Sequence, residues 1–165
     1  MSRPFLSPSR CAPETLVSPL ARALADADPA QVEDLSLQGI VELRGDVDSL
    51  SPGDGEELVH LTSRRAFLFT EDDPADVAAR VRASGVLAYD ATGGYAGMAI
   101  ASEQVLRRLT DLDLGQIPTA GPFAHVTAIF RRRDDGAFLV YVPQELGHYA
   151  AEAALDALAG LEERA

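Results

Sequence analysis

The stretch DATGGYAGMAIAS at 90–102, continuing into LRRLTDLDLGQIP at 106–118, constrains the fold more than any other part of the chain. Gly93, Gly94 and Gly97 lie close together in it, and glycines so placed mark tight turns or close backbone approach. The stretch reads as a Gly turn, an apolar strand over 95–101, a helix and a loop closed by Pro118. The helix opens at Ser102 and Glu103 and presents Val105, Leu106, Leu109 and Leu112 on one face. The strand VLAYD (86–90) enters the turn, and 95–101 is expected to pair with it as a hairpin.

Beyond the loop, AHVTAIFRRR (124–133) and AFLVYV (137–142) form a hairpin around Asp134, Asp135 and Gly136, a strong turn signal. Pro143, Gln144 and Glu145 then lead into a helix carrying Tyr149, Ala153, Leu155 and Leu158. Upstream the same grammar recurs. ELVHLTSRRAFLFTEDD (57–73) reads as a hairpin, and Asp73 with Pro74 caps a helix that Ser84 and Gly85 stop. A strand near 39–44 is entered through Gln38 and Gly39, and a short helix is expected around Leu16 to Leu24.

Two passages echo each other. Asp34, Leu35 and Ser36 precede a turn and a strand, as Asp90, Ala91 and Thr92 do. The triplet AFL stands at 66–68 and again at 137–139, each in a hairpin that runs into a helix. The pattern predicts an α+β fold of two similar strand–hairpin–helix half-units, packed with antiparallel and mixed sheets around one core. Residues 15–165 read as a single domain, long enough to bury roughly 70% of its unfolded surface. Residues 1–14, with Pro4, Pro8 and Pro13, read as a flexible arm that either stays free or lies on a partner.

Composition narrows the chemistry. The net charge is −12, which argues against a nucleic-acid surface. All basic residues are Arg, so Lys-based Schiff-base chemistry and a P-loop Lys are excluded. Cys11 is the sole cysteine and excludes an internal disulfide. No apolar run has the length of a membrane helix, and Arg3 and Arg10 precede no secretory core, so the chain reads as cytoplasmic.

Candidate sites are few. The acidic loop 46–57 lacks the ligand spacing of a calcium loop. His60 and His125, placed in strands of corresponding hairpins, have no third metal ligand spaced with them. His148 near a helix start has no nucleophile beside it in the pattern. Glycines 93–97 open onto a strand rather than onto a helix N-terminus, as a dinucleotide site requires. Arg131 to Arg133 read as a solvated strand end, or as a patch for an anionic ligand or acidic partner. The residues themselves thus assign no catalytic group and no metal site.

The order of motifs carries a resemblance. It consists of Asp90–Thr92, Gly97–Ile100, Leu109 and Thr110 with Asp113 and Leu114, then Pro118–Gly121, and the hairpin 124–142. This order resembles the aminomethyltransferase domain of the glycine-cleavage T-protein and of folate-binding oxidase subunits, best over 86–158. With SPL (18–20), the strand near 39–44 and the first hairpin, residues 18–158 resemble the short gamma-subunit family of heterotetrameric sarcosine oxidases. The long folate-contacting excursion of active T-proteins is replaced here by the turn Arg133–Gly136, and their Gly-Tyr-Thr-Gly-Glu type segment is missing. The resemblance implies a non-catalytic accessory subunit of an amine-oxidising complex, docked on a larger flavin- and folate-binding subunit. It implies no cofactor in this chain, with flavin held by the partner. The alternative it implies is a small folate-binding protein of one-carbon transfer, with Asp90 as the residue placed to meet folate.

Overall fold

The runs 66–70 and 138–142 are buried at every position in the computed structural model, which describes residues 17–163. A strand buried on both faces needs a layer on each side, so both runs sit at the centre of a layered structure. The expected arm at 1–14, with Cys11, lies outside the described residues.

The elements run β1 (Val32–Asp34), β2 (Gly39–Arg44), β3 (Glu57–Thr62), β4 (Arg65–Thr70), α1 (Pro74–Ala83), β5 (Leu87–Asp90) and β6 (Tyr95–Ile100). They continue with α2 (Glu103–Leu109), β7 (Thr119–Phe123), β8 (Val126–Arg132), β9 (Phe138–Pro143) and α3 (Gly147–Glu162). One antiparallel sheet has the order β3-β4-β2-β5, and the other β1-β6-β9-β8-β7. The α+β expectation holds.

Three apolar clusters separate four layers. Val77, Ala78 and Val81 of α1 pack on Val41, Leu43, Leu68 and Ala88, on the outer face of the four-stranded sheet. Ile40, Val59, Phe67 and Phe69 meet Ala99, Ile129, Leu139 and Tyr141 between the sheets. On the far side, α2 and α3 cover Met98, Ile100, Phe130, Phe138 and Val140. Fully burying each such large side chain stabilises by about 1.5–3 kcal/mol.

Helix boundaries follow local chemistry. The Asp73 side chain accepts the Ala75 N–H at 2.8 Å, with Pro74 in the first turn of α1. Ser102 caps α2 through the Val105 N–H. That helix ends at Leu109, short of the expected Leu112, because Thr110 is extended and its hydroxyl bonds to the Pro122 carbonyl. The tight turn before β9 forms as expected: Arg133 N–H bonds to Ala137 O, and Gly136 takes φ 93°, open to glycine at low cost.

Three expectations are corrected and one strand is added. Residues 19–26 form successive turns rather than a helix, with the Leu24 N–H reaching Leu20 O as an isolated helical bond before Asp28 and Pro29 redirect the chain. Residues 32–34 form an extra strand. Residues 119–123 are β7 rather than loop; Pro122 is tolerated because β7 is an edge strand with β8 as its neighbour. Strands β5 and β6 do not pair with each other: β5 pairs with β2, and β6 with β1 and β9. The turn at 91–94 therefore carries the chain from one sheet to the other.

Candidate functional site

The two half-units are joined by exchanged strands. Strand β1 precedes β2 in sequence yet adds to the sheet of β6, while β5 precedes β6 and adds to the sheet of β2. Each crossing uses the same device. Asp34 Oδ1 accepts the Ser36 N–H at 3.0 Å, and Asp90 Oδ1 accepts the Thr92 N–H at 3.0 Å, the side chain of each Asp closing its own turn. Leu35 N–H donates to Gly97 O at 2.8 Å, and Ala91 N–H to Ile40 O at 2.8 Å. In return, Gly97 N–H donates to Ser36 Oγ at 3.3 Å, and Ile40 N–H to Thr92 Oγ1 at 3.0 Å. Each Asp-x-Ser/Thr turn thus clasps a strand of the other half-unit, the neighbour of its own strand in the shared sheet.

The echo seen in the sequence is therefore a geometric equivalence. Asp34 stands opposite Met98 as Asp90 stands opposite Val41. Met98 in turn pairs with Val140, and Val41 with Leu68. The AFL triplets are one residue out of this register: Leu68 corresponds to Val140, so Phe69 corresponds to Tyr141. Those two rings meet across the junction with centroids 4.7 Å apart.

A polar network lies against this stack. Arg131, on the face of β8 shared with Ile129, is only 8% exposed. Its Nε donates to Glu57 Oε2 at 2.6 Å and its NH1 to Gln38 Oε1 at 3.2 Å. NH1 also lies 3.4 Å from the Tyr141 hydroxyl, which donates to Gln38 Oε1. The guanidinium sits 4.1 Å above the Phe69 ring centroid. Burial pushes the Tyr141 phenol up to about 12, with Arg131 pulling the other way. One arginine thereby ties β8 and β9 to β3 and to the turn entering β2.

A cleft of about 430 Å³ opens at this turn, lined by Asp34, Leu35, Gln38, Thr70, Arg133 and Leu139. Its guanidinium is committed: Arg133 bonds Asp135 at 2.9 Å and Glu33 at 2.8 Å. The Arg133 bond and the Ala137 N–H hold the Asp135 carboxyl below its ordinary range. These groups pin the β8–β9 turn to β1.

The residues singled out from sequence do not converge. Asp90 is exposed at the end of β5, with Oδ1 engaged by its own turn. His60 is exposed on β3, 3.5 Å from Asp48. His125 is not in a strand; it occupies the β7–β8 turn at φ 70°, exposed. His148 sits exposed on the first turn of α3, 3.1 Å from Glu152. Among the described residues, no three His, Cys, Asp or Glu side chains group as metal ligands. Arg131 is the correction that matters: it is buried rather than solvated. Its sequence signal is the alternation of Ile129 and Arg131 on one face of a strand, against which stands the general preference of arginine for water.

No family model matches the sequence, and no curated protein matches it. The fold matches a chain of the heterotetrameric sarcosine oxidase from Corynebacterium sp. U-96, solved in complex with pyrrole 2-carboxylate. The TM-score is 0.76 at 13% identity, covering 88% of this chain and 95% of that chain. The likeness is one of fold, and it spans almost the whole of both chains. No helix in the described residues is long and apolar enough to cross a membrane.

Proposed function

We propose that this chain is a non-catalytic accessory subunit of an N-methyl amine oxidase of the heteromeric sarcosine oxidase kind, docked on a larger subunit that carries flavin and folate. The carrying observation is the end-to-end fold match to a chain of such an assembly. The junction agrees with a scaffolding role. Arg131, Glu57, Gln38 and Tyr141 satisfy one another, and Arg133 is held by Asp135 and Glu33. Their chemistry is spent on holding two sheets in register rather than on a reacting group.

The test is co-purification. A tagged chain expressed in its own host is expected to bring down a protein that shows flavin absorbance, in constant ratio through gel filtration. Recovery of the chain without any flavoprotein would count against the reading. Calorimetric titration of the isolated chain with tetrahydrofolate is expected to give no heat. Saturable heat lost in Asp90→Ala but kept in Asp34→Ala would instead support the folate-binding alternative.

A further inference from the structure

The inner face of the four-stranded sheet is covered unevenly. Its rows run across β5, β2 and β4: Tyr89 stands opposite Glu42, which stands opposite Phe67, and Leu87 opposite Arg44, which stands opposite Arg65. Directly opposed residues share a face. At β4 that face packs against the other sheet, burying Phe67 and Phe69. At β5 the cover stops, leaving Leu87 55% and Tyr89 51% exposed side by side.

The charge beside them is inverted relative to the chain. Glu42 Oε1 is met by Arg44 and Arg65, each at 2.8 Å. One carboxylate thus serves two guanidinium groups of five donors each, leaving a positive charge and free N–H groups on a protein of net charge −12. Strand addition at this edge is opposed: Arg82 NH1 donates to Ala88 O at 2.8 Å, and Ala88 alternates with the residues bonded to β2, so that carbonyl faces the open side.

We infer that the Leu87–Tyr89 face, flanked by Arg44 and Arg65, is a docking surface for an acidic segment of a partner protein that carries an apolar anchor. Leu87 and Tyr89 receive the anchor, and the two arginines bind the carboxylates in fork geometry. The identification of that partner as the flavin-bearing subunit rests on the proposed function; the surface itself does not.

Two measurements decide it. The full chain is titrated with a peptide of alternating Asp and Phe and observed by NMR. Shifts confined to 42–44, 65 and 87–90 are expected, and Arg44→Glu or raised salt weakens binding at least about tenfold. Leu87→Ser with Tyr89→Ser, at exposed positions that leave the fold intact, abolishes it. Shifts elsewhere, no binding, or equal binding of an Asn/Phe peptide overturns the inference. In the purified complex, amides 87–90 are expected to exchange more slowly than in the free chain. Unchanged exchange in an intact flavoprotein complex overturns the surface and leaves the subunit reading standing. Absence of any complex removes that reading, and the peptide result still decides the surface.

Discussion

Gly97 lies so close to Tyr141 that a Cβ on it would sit 2.6 Å from the ring Cε1 and 2.9 Å from the Leu35 carbonyl oxygen. Neither neighbour can withdraw: the ring is locked by Gln38 and Phe69, and the carbonyl belongs to the exchanged turn. Gly97→Ala is therefore expected to destabilise by about 1–3 kcal/mol in urea unfolding. A Cβ on Gly93 meets nothing within 4 Å, and Gly93→Ala is expected to stay within about 0.5 kcal/mol. Equal effects of the two would contradict the close approach.

Arg131 tests the strut between the sheets. Arg131→Met strands Glu57 at the junction, while Gln38 keeps its bond from the Tyr141 hydroxyl. Because the Glu57 side chain is 34% exposed, the expected loss is discounted to about 1–3 kcal/mol. Adding Glu57→Leu is expected to recover most of it, since an apolar pair leaves no charge behind. A double variant no better than the single would show that the ion pair is not what Arg131 contributes.

Tyr141 makes the junction sensitive to alkali. Its phenol is neutral when folded, with a pKa raised from the ordinary 10.0 to about 12 by burial. A raised acid contributes stability that is complete below the unfolded value and is lost as pH rises through the folded one. Stability is thus expected to fall between about pH 10 and pH 12. Tyr141→Phe costs about 0.5–1.5 kcal/mol at neutral pH, from the hydroxyl's bonds, and flattens the alkaline limb. An unchanged limb in Tyr141→Phe would assign it to other groups.

Asp34 and Asp90 are predicted to behave alike. In each, Asn keeps the acceptor that closes the turn, whereas Ala loses it at about 0.5–1.5 kcal/mol. Thermal melts of the four variants check the equivalence. A loss at one position and not at the other would break it.

Much of this was readable in the chain. The capped helix after Asp73, the hairpins at 57–70 and 126–143 and the paired Asp-x-Ser/Thr turns all rest on local chemistry. The partner of a strand is not local. Strands β5 and β6 are joined by a short Gly turn and pattern as a hairpin, yet each finds its partner across the sequence. Strand β1 has three residues, too few for a period to show. Of the junction network, Glu57 and Arg131 are brought together from hairpins far apart in the chain, and no spacing rule links them. The shift of the AFL echo by one residue has the same origin: identity marks the hairpin, whereas the register is read from the neighbouring strand, β2 for Leu68 and β6 for Val140.

The proposed place of this chain as a subunit of a larger assembly rests on the fold match. Native mass spectrometry of the tagged chain purified from its own host tests it most directly. The account predicts a stoichiometric assembly containing the 17.5 kDa chain and a larger flavin-bearing subunit, dissociating when Arg44→Glu is combined with Tyr89→Ser. A free chain with no flavin-bearing companion in the spectrum would contradict it.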